Sequence, residues 1–429
     1  MRHVILGNGA AGLWAARKLR ELCPDDSITI VSDEPYPTYS RCLLAEYIGG
    51  QVSRDRLFIH PPEFYRQERL ELLLGRRAVG LDTGKQALVL DGSERLGYDR
   101  LLIATGALPA APPVPGIQNE RAVGLRTLAD ADRIIALASG ARRGVVIGGG
   151  YIGLEAAYAL RRRGLDVQVI EMMPHILYAS FDEIASGIIA EDLRREGIEI
   201  KAGGENQVTQ VESFRDGLRL YLRSGERVEA DLAVCAVGVR ANLDLARAAS
   251  LRTDAGILVD DYLETSAAGV YAAGDVAQAR DLLTGEPKTT PIWPNAVAQG
   301  KLAASNMAGR RQVYTGEVGL QNAVEFREVP AIAFGLSKAT EAQGYRVRTV
   351  HHPGRGVYKK VVFDGDVPRG MIAIGDISQA GVIGSLIKCK AHLGELADRL
   401  LDEGFSIAYL TQRVAPTPLD AVAAQGYQF

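Results

Sequence analysis

The chain is poor in cysteine, with four in 429 residues: Cys23, Cys42, Cys235 and Cys389. None forms a CxxC or CxxxxC pair, so a disulfide framework, a zinc or iron–sulfur site and a dithiol redox centre are all excluded, and no resident metal is expected. It also lacks an excess of one charge. Lys and Arg number 49 against 52 Asp and Glu, a net charge of −3, which leaves no basic field for nucleic acid. No long apolar run is present either. The most apolar stretch, GVVIGGGYIGLEAAYAL from Gly144, is interrupted by glycines and by Glu155, against a membrane span. The first residues, MRHVILGNGAAG, leave no room for a charged n-region, an apolar h-region and a cleavage site, so a cytoplasmic protein is expected.

Glycine is what the chain does have, and it is placed with a pattern. HVIL, then GNGAAG, then LWAARKLRELC with apolar residues at helical spacing, then SITIVSDE, reads as strand, glycine turn, helix, strand. Gly7 permits the tight turn, Gly9 lets the backbone approach a pyrophosphate, and Gly12 lets helix and strand pack closely. Ala11 lies in the same loop. Asp33, 21 residues beyond Gly12, stands where a carboxylate accepts hydrogen bonds from a ribose, with Glu34 as its neighbour and alternative. GVVI, GGGYIG, LEAAYALRRRG and DVQVIE repeat the unit with Gly148, Gly150 and Gly153, Tyr151 and Ile152 between them, and Glu171 lying 18 residues after Gly153. An acid there binds the free 2′-hydroxyl of NAD and repels the 2′-phosphate of NADP, so two dinucleotides are expected, FAD in the first fold and NAD(H) in the second.

The Pro-rich ALPAAPPVPG, 107 to 116, reads as a linker, and VYAAGDVAQ as a return into the first fold. From about residue 320, VPAIAFG, YRVRTVHH and YKKVVFDGDVPRGMIAIGD read as strands and GSLIKCKAHLGELADRLLDEG as helix. The expected fold is therefore α/β: two interleaved Rossmann-like dinucleotide-binding domains, 1–110 with 243–319 for FAD and 111–242 for NAD(H), and a C-terminal α+β interface domain, 320–429. The adjacent His351 and His352 read as a surface loop rather than a metal site.

The ordered set GNGAAG, LLIATGALP, VVIGGGYIGLE, AVGVRAN, TSAAGVYAAGDV and WPNAVAQGKLAASNMAG resembles the FAD- and NAD-dependent pyridine nucleotide–disulfide oxidoreductase superfamily over about residues 1 to 310. The resemblance implies that Thr105 and Gly106 line the adenine side of FAD, that Asp275, after Gly274, bonds the ribityl chain, and that Ala296 and Gln299 lie near the isoalloxazine. It implies that Gly238 belongs to the second nucleotide site, that Tyr151 covers the flavin until nicotinamide displaces it, and that Glu155 pairs with a basic residue beside the flavin, for which Arg41 is the natural partner. YPTYSRCLLAEYIGG and YKKVVFDGDVPRGMIAIGD are similar to NADH:rubredoxin reductases and to the flavin module of nitrite reductases, which implies an external rubredoxin-type or iron–sulfur partner. The FAD subunit of a phenylglyoxylate-dehydrogenase-type complex is a related branch, and a homodimer is compatible with either.

Cys42 carries a second reading. It occupies the offset of the single cysteine in NADH oxidases, NADH peroxidases and coenzyme A disulfide reductases, where a thiolate beside Arg41 would have a lowered pKa. Against that reading, Arg41 and Leu43 replace the small polar neighbours, and the histidine of the peroxidase glycine loop is Ala10. A small apolar filler is the other account of the same residue.

Overall fold

The structure, a computed structural model, describes residues 1–406 and 408–411. It divides into one unit of Met1–Ala179 and Ile189–Leu320 and another of Ser180–Ile188 and the residues from Gln321 on. The final stretch of the expected C-terminal domain, 412–429, lies outside the described residues.

The first unit holds two parallel five-stranded sheets. One runs in the order Val270–Ala272, Arg100–Ile103, Arg2–Leu6, Ser27–Ser32, Leu70–Leu74. Its central strand is apolar on both faces because both are covered. Ile5 packs with Leu13, Ala16 and Met307 of the helices Ala10–Leu22 and Trp293–Met307. Val4 and Leu6 point the other way, toward Leu88, Leu90 and Tyr98. The second sheet runs Ile198–Ala202, Asp166–Glu171, Arg143–Ile147, Leu232–Cys235, Ala122–Gly124. One of its faces meets an antiparallel layer, where Val145, Ile147 and Ile170 pack on Val211, Leu218 and Leu220. The helix Tyr151–Arg162 buries Gly153, Leu154, Ala156, Ala157, Ala159 and Leu160, the three- and four-residue spacing of one helical face.

The expected linker is in part a strand. Ala107–Pro109 pairs antiparallel with Val239–Ala241, so the chain enters and leaves the second sheet through one two-stranded ribbon. Proline is tolerated there because a two-stranded ribbon is all edge.

The second unit is an antiparallel sheet of Gln321–Glu325, Pro330–Gly335, Val367–Ile374, Val357–Asp364 and Arg346–His352, with the helix Ala380–Lys388. The segment Ser180–Ile188 joins it through hydrogen bonds that no local pattern announces. Tyr358 Oη donates to Asp182 Oδ2 at 2.8 Å, and Ser337 Oγ to the Ser180 carbonyl at 2.7 Å. Two local expectations are corrected. The helical run expected through GELADRLLDEG stops at Lys388, where Lys390 and Gly394 take φ of +49° and +56°, and a 3-10 turn follows over Gly394–Arg399. His351 and His352 end a strand rather than sit in a loop; both are exposed.

The tightest point of the first sheet is the glycine turn. A Cβ on Gly12 would stand 2.0 Å from the Gly7 carbonyl oxygen, which belongs to backbone and cannot step aside. Gly12→Ala is therefore expected to lower stability by about 1–3 kcal/mol or more through overpacking. Thermal melting and the FAD content of the purified protein check this, and an unchanged melting temperature with full FAD would contradict it.

Candidate functional site

Both glycine loops have one geometry. Gly7 and Gly148 take φ of +116° and +108°, and a Cβ on either would meet a backbone carbonyl of the neighbouring strand end, Ala104 at 2.1 Å and Ala236 at 2.4 Å. Gly12 and Gly153 each face the first glycine's oxygen at 2.0 Å. The middle glycines differ in kind: a Cβ on Gly9 or Gly150 would meet nothing within 4 Å. The outer glycines close strand on helix, while the middle ones hold open space in front of a helix N-terminus. That is a cradle for a pyrophosphate, and the residues fit the dinucleotides expected there.

Of the two acids after the first loop, Asp33 is exposed, and no hydrogen bond from a described residue reaches it. Glu34 is committed. Its Oε1 receives Arg41 Nη2 at 2.5 Å and its Oε2 the Tyr39 hydroxyl at 2.6 Å, while Arg41 lies over the Tyr39 ring at 5.2 Å. Burial pushes the Tyr39 hydroxyl far above its ordinary pKa, so it remains a donor. At the second loop the Glu171 carboxylate accepts from Gly149 N at 2.6 Å and from Met173 N at 2.7 Å, which fixes a negative charge at the rim. Ile152 is largely exposed at the start of the helix after that loop, Tyr151 is half-buried beside it, and Gly238 is exposed with φ +108°.

The residues expected around FAD come together. Gln299 accepts from Gly274 N at 2.8 Å and donates to Tyr314 Oη at 3.2 Å, whose hydroxyl donates to Asn295 at 2.7 Å. Ala11, Gly274 and Ala296 crowd one point, since a Cβ on Gly274 would meet the other two at 3.1 and 3.6 Å. Thr105 Oγ1 donates to the Asn242 carbonyl at 3.3 Å, and Gly106 stands at φ +67°.

The sequence reading missed Arg126. Its Nη2 holds Asp275 Oδ2 at 2.5 Å and would lie 3.5 Å from a Cβ on Gly106, and its carbonyl receives Arg41 Nη1 at 2.6 Å. Its Nε is enclosed with no acceptor among the described residues, a donor left for a bound group. The signal was available: Arg126 immediately precedes the capping box Thr127–Asp130, which places a cation at a helix start.

The expected Arg41–Glu155 pair is absent, because Arg41 is spent on Glu34. Glu155 faces Glu46 instead. Burial first, and the Glu46 charge second, push the Glu155 carboxyl up to about 7. The Cys42 reading changes with it. The residue keeps an exposed surface, yet its thiol is raised, not lowered: desolvation of the sulfur by its surroundings acts first and Glu155 and Glu46 follow, with Arg126 opposing. Among the described residues one group has ligand atoms within metal reach: His3, Cys23 and Asp26 lie within 4.8 Å of one another. Asp26 already accepts the terminal amine at 2.6 Å and bonds His3 Nε2 at 2.9 Å, which ties the starts of two strands, while His3 Nδ1 is enclosed with no partner among the described residues.

The family profile described as pyridine nucleotide-disulphide oxidoreductase matches residues 1–300. Rhodocoxin reductase of Rhodococcus erythropolis is 33% identical, with 62% of this chain and 62% of that protein matched. The epsilon subunit of the NADH-dependent phenylglyoxylate dehydrogenase of Aromatoleum evansii is 32% identical, also over 62% of each. The match spans between about a third and three fifths of the length of such curated relatives. Among solved structures, an NAD-dependent persulfide reductase from A. fulgidus is 30% identical with a TM-score of 0.85, covering 95% of this chain and 80% of that one. A covalent putidaredoxin reductase–putidaredoxin complex is 26% identical with a TM-score of 0.87, covering 96% and 98%.

The raised Glu155 carboxyl makes a stability prediction. Between its unfolded value of 4.5 and its folded value of about 7 the native state holds a proton that the unfolded chain has released. Its contribution is therefore present below pH 4.5 and lost as the pH rises through 7. Glu155→Gln, which has no charge to bury, should melt with the parent protein at pH 4.5 and be the more stable by at most about 3 kcal/mol at pH 8. Calorimetry at the two pH values checks this; a difference that does not grow with pH would contradict it.

Proposed function

Because this chain belongs to the pyridine nucleotide–disulphide oxidoreductase family, whose members bind FAD and NAD(H), we propose that it is an NADH-dependent flavoprotein oxidoreductase that exchanges electrons with an external iron–sulfur or rubredoxin-type protein in the cytoplasm. One observation carries the reading: the same open-centred glycine cradle occurs twice, each at the end of a parallel strand with an acid at the end of the next. FAD, when bound, accepts a hydride and releases electrons singly, which is what joins a nicotinamide to a one-electron partner.

In this reading 1–110 and 243–319 hold FAD, 111–242 hold NAD(H), and 320–429 form an interface domain compatible with a homodimer. Gly7, Gly9, Ala11 and Gly12 receive the FAD pyrophosphate and Asp33 its ribose, with Glu34 bracing Arg41 instead. Asp275 and Arg126, now paired, reach the ribityl chain and the flavin, while Thr105 and Gly106 stay on the adenine side. Ala296 backs the ring, and Gln299 holds the Gly274 turn that aims Asp275. Gly148, Gly150, Ile152 and Gly153 receive NAD(H), Gly238 flanks it, and Tyr151 stands over the flavin. The Glu171 charge, anchored by two backbone amides, selects the free 2′-hydroxyl over a phosphate. The relatives named above favour an iron–sulfur or rubredoxin-like acceptor, or a seat as the NAD-linked subunit of a 2-oxoacid oxidoreductase.

Cys42 is assigned no redox step. Its exposure and the likeness to a persulfide reductase favour thiol chemistry. Desolvation of the sulfur, and after it the Glu155 and Glu46 carboxyls, raise the thiol pKa and oppose it, because they empty the thiolate state that such chemistry needs.

Anaerobic NADH titration tests the reading. NADH should bleach the bound flavin at one equivalent, and Cys42→Ser should keep both the stoichiometry and the rate to a [2Fe–2S] ferredoxin acceptor. A second two-electron equivalent that disappears in Cys42→Ser would move the protein to the thiol or peroxide reductases. Glu171→Ala is expected to lose about tenfold or more in kcat/KM for NADH and much less for NADPH, the value of one charge-assisted hydrogen bond. Steady-state assays with both nucleotides check it.

A further inference from the structure

His3, Cys23 and Asp26 meet at the end of the first sheet away from the glycine turn, with ligand atoms within 4.8 Å of one another. Three elements bring them there. His3 lies near the start of strand Arg2–Leu6, Cys23 directly follows the helix Ala10–Leu22, and Asp26 directly precedes strand Ser27–Ser32. No local spacing announces such a group, because only the crossover from strand through helix to strand assembles it. His3 is buried, and Cys23 and Asp26 are half-buried. Together they offer an imidazole nitrogen, a sulfur and a carboxylate oxygen. That mixture suits Zn2+, whereas Ca2+ and Mg2+ call for oxygen ligands.

The dimensions fit. Zinc holds sulfur at about 2.3 Å and nitrogen or oxygen at about 2.0–2.2 Å, which sets tetrahedral ligand atoms roughly 3.2–3.6 Å apart. From a span of at most 4.8 Å the group closes by no more than about 1.2 Å, and the 2.9 Å contact of His3 Nε2 with Asp26 Oδ2 opens slightly. The terminal amine sits on the other carboxylate oxygen, Oδ1, at 2.6 Å, and keeps that place. Neighbouring guanidinium groups are engaged elsewhere. Arg20 donates to the carbonyls of Glu68, Cys23, Pro24, Asp26 and Arg69, Arg69 to that of Pro24, and Arg100 to that of Asp99. A route in is also present. Asp26 lines an open cleft of about 260 Å³ that carries two further acids, Asp25 and Glu71, so a cation is drawn toward the group from solvent.

We infer that His3, Cys23 and Asp26 bind a zinc ion that clamps the outer end of the first strand–helix–strand unit, with its fourth position open to water from the cleft. Burial keeps the His3 ring neutral, the form that ligates a metal. On binding, the ring proton moves from Nε2 to Nδ1 and the thiol proton leaves to solvent. The two charges of Zn2+ then cancel those of the thiolate and the carboxylate. Burial, and after it Asp26, raise the Cys23 thiol while the terminal amine and Arg310 oppose, so the ion must displace a firmly held proton and is lost in acid. The role is structural. The glycine cradle lies at the other end of the same strands, no electron passes through the ion, and the inference stands whether or not the proposed electron transfer does. Because the unfolded chain does not bring the three residues together, the ion stabilises the native state by mass action.

The test uses the FAD-loaded full chain, stripped with a chelator, titrated with zinc chloride and passed through a desalting column. Metal analysis should find one zinc per chain, and X-ray absorption at the zinc edge should show one sulfur at about 2.3 Å with lighter ligands at about 2.0–2.2 Å. Zinc should raise the melting temperature of the parent protein. Cys23→Ser and Asp26→Asn should each weaken zinc binding by about a hundredfold or more, since loss of a direct ligand costs at least as much as loss of its supporting partner. Both variants should lose the thermal shift while keeping their FAD and its bleaching by NADH. Cys42→Ser and Cys389→Ser, which alter the two exposed cysteines, should bind zinc as the parent does. Zinc that is not retained, that shows no sulfur neighbour, or that is held equally by Cys23→Ser overturns the inference, as does zinc lost with Cys42 or Cys389. Should either ligand variant fail to fold, the sulfur shell of the parent protein, read again in Cys42→Ser and Cys389→Ser, decides the matter.

Discussion

Everything in the first unit hangs on backbone meeting backbone where a side chain would be in the way. At Gly7 and Gly148 the chain turns out of a central strand against the carbonyl at the end of the adjacent one, with room for a hydrogen atom and nothing larger. The turn aims the following helix so that its free amides face the gap over Gly9 and Gly150. Sheet, helix and cradle are therefore one object. Widening the turn to admit a methyl would tilt the helix off the sheet and close the gap together.

On that frame the charges are arranged in two unlike ways. Around the first cradle two acids have an opposite, Glu34 with Arg41 and Asp275 with Arg126, while Asp33 stands exposed. On the helix after the second loop, Glu155 is bonded by no described residue, and Glu46 on the short helix after Cys42 adds a like charge. The first arrangement closes both acids in ion pairs at 2.5 Å. In the second, burial first, and the Glu46 charge second, raise the Glu155 carboxyl to about 7.

The double nucleotide fold was legible because its signals are local: a run of apolar residues, glycines at fixed spacing, a helix of period 3.6, an acid at the next strand end. Strand, loop and helix fall where those signals place them, and Gly274 lies beside Ala296 and Gln299. What was not legible is pairing between residues far apart in the chain. Nothing in PTYSRC says that Arg41 goes to Glu34, seven residues back and bonded by Tyr39, rather than to Glu155. Arg126 went unnoticed because its role is set by Asp275, 149 positions away. The segment Ser180–Ile188 joins the second unit through Asp182, whose partner Tyr358 no periodicity connects to it.

The ribbon of Ala107–Pro109 and Val239–Ala241 bears on how the molecule forms in time. Strand Val270–Ala272 must find Leu101–Ile103 across nearly 170 residues before the first sheet is complete. The closure entropy of so long a loop grows only slowly with its length, yet the search for such a contact is slow. Once the second sheet has folded, its two ends lie side by side in the ribbon, and the intervening chain counts kinetically as a short turn. The order of assembly is thereby written into the connection. Folding the inserted sheet first would shorten the search that completes the sheet enclosing it in sequence.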